Sequence, residues 1–145
     1  MAALTNDLVR ATRDRKSMKM RATDAVQFFA GSLVGVLTTT GLAVKWADTL
    51  NFKFLGVAKD GVTGDTASNE PPEVSIDTKG ELLEDISVTG VSDITKQGAL
   101  VFATSDNDFT LTVGTNVKAV GVLIRHKAGA VGDVLLFTPT EHQAL

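Results

Sequence analysis

The sequence predicts an all-β fold: a tandem, barrel-like repeat of β-hairpins with little helix, preceded by an extended N-terminal arm. The first observation behind this is a pattern written twice. Gly31-Ser32-Leu33-Val34 leads to Asn51-Phe52-Lys53-Phe54-Leu55-Gly56-Val57, and Gly98-Ala99-Leu100-Val101 leads to Asn116-Val117-Lys118-Ala119-Val120-Gly121-Val122. Both copies read Gly-small-Leu-Val, then Asn-apolar-Lys-apolar-apolar-Gly-Val, and a two-residue difference in turn length reconciles them. The second observation is alternation of apolar and polar residues over short runs bounded by Gly, Asn, Asp and Pro, the text of half-buried strands. The third is that Ala-, Glu- and Lys-rich stretches of helical period are missing. The recurrent positions are apolar or glycine, which build strands and turns, whereas catalysis needs convergent polar groups.

Residues 1–22 carry no apolar period and read as an arm, either extended or with a short helix from Asn6 to Arg15 capped by Thr5 or Asn6. Residues 23–145 read as one β-rich domain of two similar units, about 26–77 and 94–137. In the first unit, Val26 and Phe28 alternate, Leu33 to Leu37 forms a strand, Thr38 to Gly41 turns, and Leu42, Val44 and Trp46 return. Phe52 to Ala58 is the next strand, and Gly56 inside it signals a bulge or a close backbone approach. Residues 60–73, with Pro71 and Pro72, are a surface loop. Two short strands follow, at Val74–Asp77 and Leu82–Val88. The second copy runs from Ile94 to Phe102, turns at Ser105–Asp108, and returns through Phe109, Leu111 and Val113. Side chains of Asp and Asn bond their own turn and tolerate left-handed backbone, so this tip is a strong hairpin signal. Val117–Ile124 and Val134–Phe137 close the unit around a turn at Lys127–Gly132, and Thr138–Leu145 reads as a tail.

At 145 residues the chain is long enough to bury a core and short for two domains flanking a cleft. With 43% hydrophobic and 21% charged residues it has a globular composition. Cysteine is absent, which excludes disulfides, thiolate metal sites and a cysteine nucleophile. No run approaches the roughly 18–20 apolar residues of a membrane helix, and the N-terminus lacks the apolar region of a secretory signal. The expectation is a soluble protein made in the cytoplasm. The net charge of −3 is uneven, because residues 1–22 hold six cations against two anions, +4, leaving −7 for the remainder. A basic arm on an acidic body suits docking on an acidic surface or contact with nucleic acid.

Candidate chemistry is sparse. His126, in an expected turn between Arg125 and Lys127, and His142, in the expected tail, are the only histidines and read as solvated. Glu81, Glu84 and Asp85, with Asp77 and Asp93 nearby, lack calcium-loop spacing and read as a solvated acidic face. Asp106, Asn107 and Asp108 could hold a hard cation, but a hairpin tip already accounts for them. The glycines at 31, 35 and 41 do not form a phosphate loop. Trp46, the sole tryptophan, reads as a plug of the core or of an interface. The expectation is therefore no catalytic residue, no cofactor and no metal.

The arm holds the functional promise. Its contact residues are Leu8, Val9, Arg10, Arg13, Arg15, Lys16, Met18, Lys19, Met20 and Arg21. The cations could neutralise phosphates; equally, the apolar residues could fill shallow pockets on a protein while the backbone adds to a strand edge. Protein ranks ahead of nucleic acid as the partner.

Gly31 to Val34, the Gly-centred turn, Leu42, Val44, Lys45, Trp46, Ala47, Asp48, Thr49 and then Leu55 to Ala58 resemble the head-decoration, or capsid cement, proteins of tailed bacteriophages. The second copy, at Gly98–Val101, Asp106–Leu111 and Val120–Val122, has the same grammar, and the likeness covers about residues 26–137. The resemblance implies a non-enzymatic virion protein on the outside of an assembled head, bound to the major capsid protein. It also implies a homotrimer whose N-terminal arm reaches capsid subunits, with neither a small-molecule substrate nor a membrane involved. A β-rich adaptor or a tail or baseplate module is the alternative, and a small hydrolase using Asp85 or His126 is a second.

Overall fold

The computed structural model describes residues 17–145, and the chain is β-rich, as its alternation requires. Among the described residues twelve strands and one short helix follow in order. The first seven are β1 (Ser17–Arg21), β2 (Gln27–Phe28), β3 (Leu33–Leu37), β4 (Leu42–Lys45), β5 (Phe52–Ala58), β6 (Val62–Thr63) and β7 (Glu73–Asp77). Then come β8 (Leu82–Thr89), β9 (Leu100–Ala103), β10 (Phe109–Thr110), β11 (Gly121–Ala128), β12 (Val131–Leu136) and helix α1 (Pro139–Gln143).

The strands form two units of one topology. In the first the spatial order is β1-β7-β5-β3-β4, with β2 and β6 making a separate ribbon. In the second, β8, β12, β11, β9 and β10 close into a barrel. Taken in chain order, β1, β3, β4, β5 and β7 correspond to β8, β9, β10, β11 and β12. Even the closure corresponds. The barrel shuts by a parallel pairing of Val88 with Phe109 and Thr89 with Thr110, and the first unit by one parallel bridge between Ala22 and Ala43.

The repeated text is this register written out. Val34 pairs with Gly56 and Val101 with Gly121. Leu33 then lies opposite Val57, and Leu100 opposite Val122. Glycine recurs at 56 and 121 because the third neighbouring strand crowds it. A Cβ on Gly56 would overlap the Asp77 carbonyl of β7, and one on Gly121 would overlap the Leu135 carbonyl of β12.

Each unit extends further upstream than the repeated residues. The second begins at β8, ahead of residue 94, and the first begins at β1, inside the segment 1–22 assigned to the arm. In β1 the alternation Met18, Lys19, Met20, Arg21 points both methionines at Ile76 and Val74 of β7, and they pack on the inner core of the first unit. Residues 94–96 form a 3-10 turn, since the Asp93 carboxylate accepts the Thr95 amide at 2.9 Å. The strand expected through Val113 stops at Thr110, whose hydroxyl accepts the Thr112 amide at 3.1 Å and bends the chain away. The β11–β12 turn narrows to Gly129–Ala130, and β11 begins at Gly121 rather than Val117.

The segment 138–145 holds α1. Thr138 caps it and reciprocates with Glu141, while Pro139 opens the first turn without costing an amide donor.

Two apolar clusters hold the molecule. One is the interior of the first unit, with Phe28, Val34, Ala43, Val74 and Ile76. The other is the interior of the barrel, with Val88, Val101, Phe109, Leu123 and Val134, and it also contains Leu33, Trp46 and Phe54 of the first unit. The two units therefore share a core and form one domain.

Replacing Gly56 or Gly121 by Ala forces the neighbouring strand aside. Each variant should lose about 2 kcal/mol or more of unfolding free energy. Ala at Gly61, where the nearest atom to a Cβ is the Phe28 carbonyl at 3.4 Å, should stay within about 1 kcal/mol. Urea denaturation of the three variants checks the ranking.

Candidate functional site

The junction between the units is held by edge-on rings, side-chain bonds and backbone bonds. Trp46 leaves the end of β4 and is 1% exposed. Its indole Nε1–H donates to the Ala103 carbonyl at the end of β9, 2.9 Å away. Phe54 meets it edge-on at 5.5 Å between ring centres, and His142 of α1 does the same from another side at 5.7 Å. The Leu33 amide donates to the Asp106 carbonyl at 3.0 Å. Asp48 accepts the Thr115 and Asn116 amides at 2.8 and 2.7 Å. Every one of these bonds links the first unit to the second, so Trp46 is the core plug its sequence context suggests.

His142 is thus no solvated tail residue; the helix carrying it is docked. Its Nδ1 lies 2.8 Å from the Ala119 carbonyl, which fixes the proton on Nδ1 in the neutral ring. Burial holds its pKa below the ordinary 6.5. The Ala119 carbonyl acts in the opposite sense, and the Lys118 and Lys53 cations add to the lowering. His126 lies in β11, its amide bonded to the Gln97 side chain and its Nε2 2.9 Å from the Gly129 carbonyl. The two histidines serve different elements and do not converge.

The acidic residues are similarly dispersed among structural tasks. Lys127 bridges Asp85 at 2.8 Å and Asp133 at 3.3 Å, and the hydrogen bond to Asp85 raises its pKa. The Asp85 amide donates to Asp133 and holds that carboxyl low. Lys79 lies between Asp77 and Glu81. Those two carboxyls share a hydrogen bond, which raises Glu81. At the β9–β10 tip, Asp108 accepts from Ser105, and Asp106 faces Lys45 at 3.8 Å. Among the described residues no group of three His, Cys, Asp or Glu side chains is placed to hold a metal ion, and no helix is long and apolar enough to cross a membrane.

Of the predicted contact residues, Leu8, Val9, Arg10, Arg13, Arg15 and Lys16 lie outside the described residues. Met18, Lys19, Met20 and Arg21 form the edge strand β1. Met18 and Met20 are half-buried against the interior of the first unit, whereas Lys19 and Arg21 are exposed.

An apolar surface that sequence reasoning missed lies on the outside of the barrel. Leu100 of β9 is opposite Val122 of β11, Val122 is opposite Leu135 of β12, and Leu135 is opposite Leu82 of β8. The result is an unbroken row across four strands. Leu100, Leu135 and Leu82 are 44, 41 and 47% exposed, and Ile124 beside them 48%. The signal was present: in Leu82-Leu83, Leu100-Val101, Leu123-Ile124 and Val134-Leu135-Leu136 apolar residues occupy both faces of a strand.

Comparison with protein-family models, curated proteins and solved structures finds no match.

Because burial lowers the His142 pKa, the unfolded chain takes up this proton first, near pH 6.5. The associated stability is fully present above that pH, declines as pH falls through it, and levels off below the folded pKa. The slope is no steeper than about 1.4 kcal/mol per pH unit. Urea unfolding between pH 8 and pH 5 should show this decline in the wild type and its loss in His142→Gln. Parallel profiles would show that the helix stays docked over a charged ring.

Proposed function

We propose that this chain is a non-enzymatic structural protein of a phage virion. On this reading it binds the outer surface of an assembled head as a homotrimer, contacts the major capsid protein and stabilises the shell. The observation that carries the reading is a rigid two-unit β block, locked at Trp46 and Asp48, that presents an apolar outer row and roots a basic N-terminal segment in its edge strand. The resemblance of both repeats to capsid cement proteins supports it.

The mechanism is physical. A protein that binds the assembled lattice and not the separated subunits stabilises the lattice by mass action, and many sites on one shell act together. The block provides stiffness, and residues 1–16, carrying Arg10, Arg13, Arg15 and Lys16, provide the charge for an acidic partner. Lys127 with Asp85 and Asp133, Lys79 with Asp77 and Glu81, and Asp48 with the Thr115 and Asn116 amides are tied to strand edges, turns and the junction.

Since β1 begins at Ser17, a chain lacking residues 1–16 should fold with an unchanged melting temperature and fail to cosediment with purified heads that the full chain decorates. Undiminished decoration by the truncated chain would overturn the role of the arm. Deletion through Arg21 removes an edge strand with two packed methionines and should lower the melting temperature as well.

A further inference from the structure

The two units are alike, yet one outer face is covered and its counterpart is bare. In the first unit, the cross-strand row is Leu33, Val57, Asp77 and Ser17, paired in that order. By register it matches the row Leu100, Val122, Leu135 and Leu82 of the barrel. The Leu33 end of the first row is buried in the barrel's own cluster, with Leu33 0% exposed and Val57 packed against the same group. It is covered by the β9–β10 tip, through the bond of the Leu33 amide to Asp106. In the barrel no described residue performs that service, and the row is more apolar than its covered counterpart, with Leu135 where the first unit has Asp77 and Leu82 where it has Ser17.

We propose that the row Leu82, Leu100, Val122 and Leu135, with Ile124, is covered by a second copy of this chain, which continues between molecules the docking that joins the two units within one. The inference rests on the oligomeric reading above and assigns the face that makes the oligomer.

The occupant follows from continuity. The surface that covers this kind of face at Leu33 is another β unit of the same chain. The contact joins unlike surfaces: the β9–β10 tip is already engaged on Leu33 of its own molecule, and the tip left to cover a barrel row is its exposed counterpart between β3 and β4, residues 38–41, of the second copy. A heterologous contact of that kind closes into a ring when the rotation permits, which is the geometry a trimer needs. The exposed side chains leave on the order of 300 Å² of apolar surface, a size at which patches on monomers are often functional. They would supply the dry centre of an interface whose rim includes Glu84 and Arg125, both exposed.

The test copies the first unit's residues onto the barrel. The full chain and the double variant L82S/L135D are compared by sedimentation equilibrium, with the near-ultraviolet signal of Trp46 reporting that the junction is intact. The full chain should run as an oligomer, and the variant should be monomeric at the same concentration, with at least a tenfold weaker association constant. A second variant, Leu100→Lys, should behave alike, and Val113→Lys, exposed outside the row, should keep the oligomer mass. A monomeric full chain, or row variants that keep the oligomer mass, would overturn the inference. Binding to purified heads separates the two ideas. A row-dependent oligomer that ignores heads sinks the capsid reading and leaves this face assigned; a chain that decorates heads with an oligomer insensitive to the row does the reverse.

Discussion

The structure depends on one constraint: the outer face of the first unit lies within the core of the second. Leu33, Trp46 and Phe54 belong to the first unit's strands and their ends, yet they pack with Val101, Leu123 and Val134 inside the barrel cluster. Burying a Leu or Phe side chain contributes about 1.5–3 kcal/mol, so separating the units would expose several such groups at once, together with the indole N–H bonded to Ala103. The first unit cannot unfold while leaving the barrel's cluster intact. The consequence is a body that transmits load as a single piece, a property that suits a scaffold better than a machine with moving parts.

Duplication explains both what recurs and what differs. Positions fixed by backbone proximity recur, as Gly56 and Gly121 do beneath neighbouring carbonyls. Residues pointing into each unit also recur in kind: Val34, Ala58 and Ile76 in one, Val101, Leu123 and Val134 in the other. The differences collect where the units meet. Trp46 and Asp48 serve the junction from the first unit, and the stretch Thr115–Asn116 answers from the second. Helix α1 closes the remaining side, its His142 ring set against Trp46 and Phe54.

The β class and the pair of units were legible because the register demands Val opposite Gly, and that demand is satisfied by the same letters twice. The first strand of each unit was not legible as part of the repeat. β1 and β8 face the interiors of their units through Met18 and Met20 in one case and Leu83, Ile86 and Val88 in the other, residues similar in role and unlike in letter. Met18-Lys19-Met20-Arg21 does alternate, but two cations in five residues resemble a solvated arm until β7 is beside them. The tail misled for a related reason: Thr138-Pro139-Thr140-Glu141 is a helix start, while a five-residue helix offers too little periodicity to announce that it docks. The apolar row was hidden because its members lie on four strands that are separate in sequence and adjacent only in the barrel.

The position of β1 also bears on how an N-terminal segment could work. Residues 1–16 continue directly from an edge strand held by five residue pairs to β7, by the packing of Met18 and Met20, and by Thr23, whose amide and hydroxyl both donate to the Ala43 carbonyl. Ala22, between these anchors, is completely buried. A pull on the segment is therefore borne by the ladder along its length and then by the bridge to β4, which leads straight to Trp46 and the junction. An arm rooted in a loop would yield before its partner did, because loops open at little cost. Rooted in a strand, the segment shares the stability of the whole block, and its attachment fails only when the first unit's sheet does.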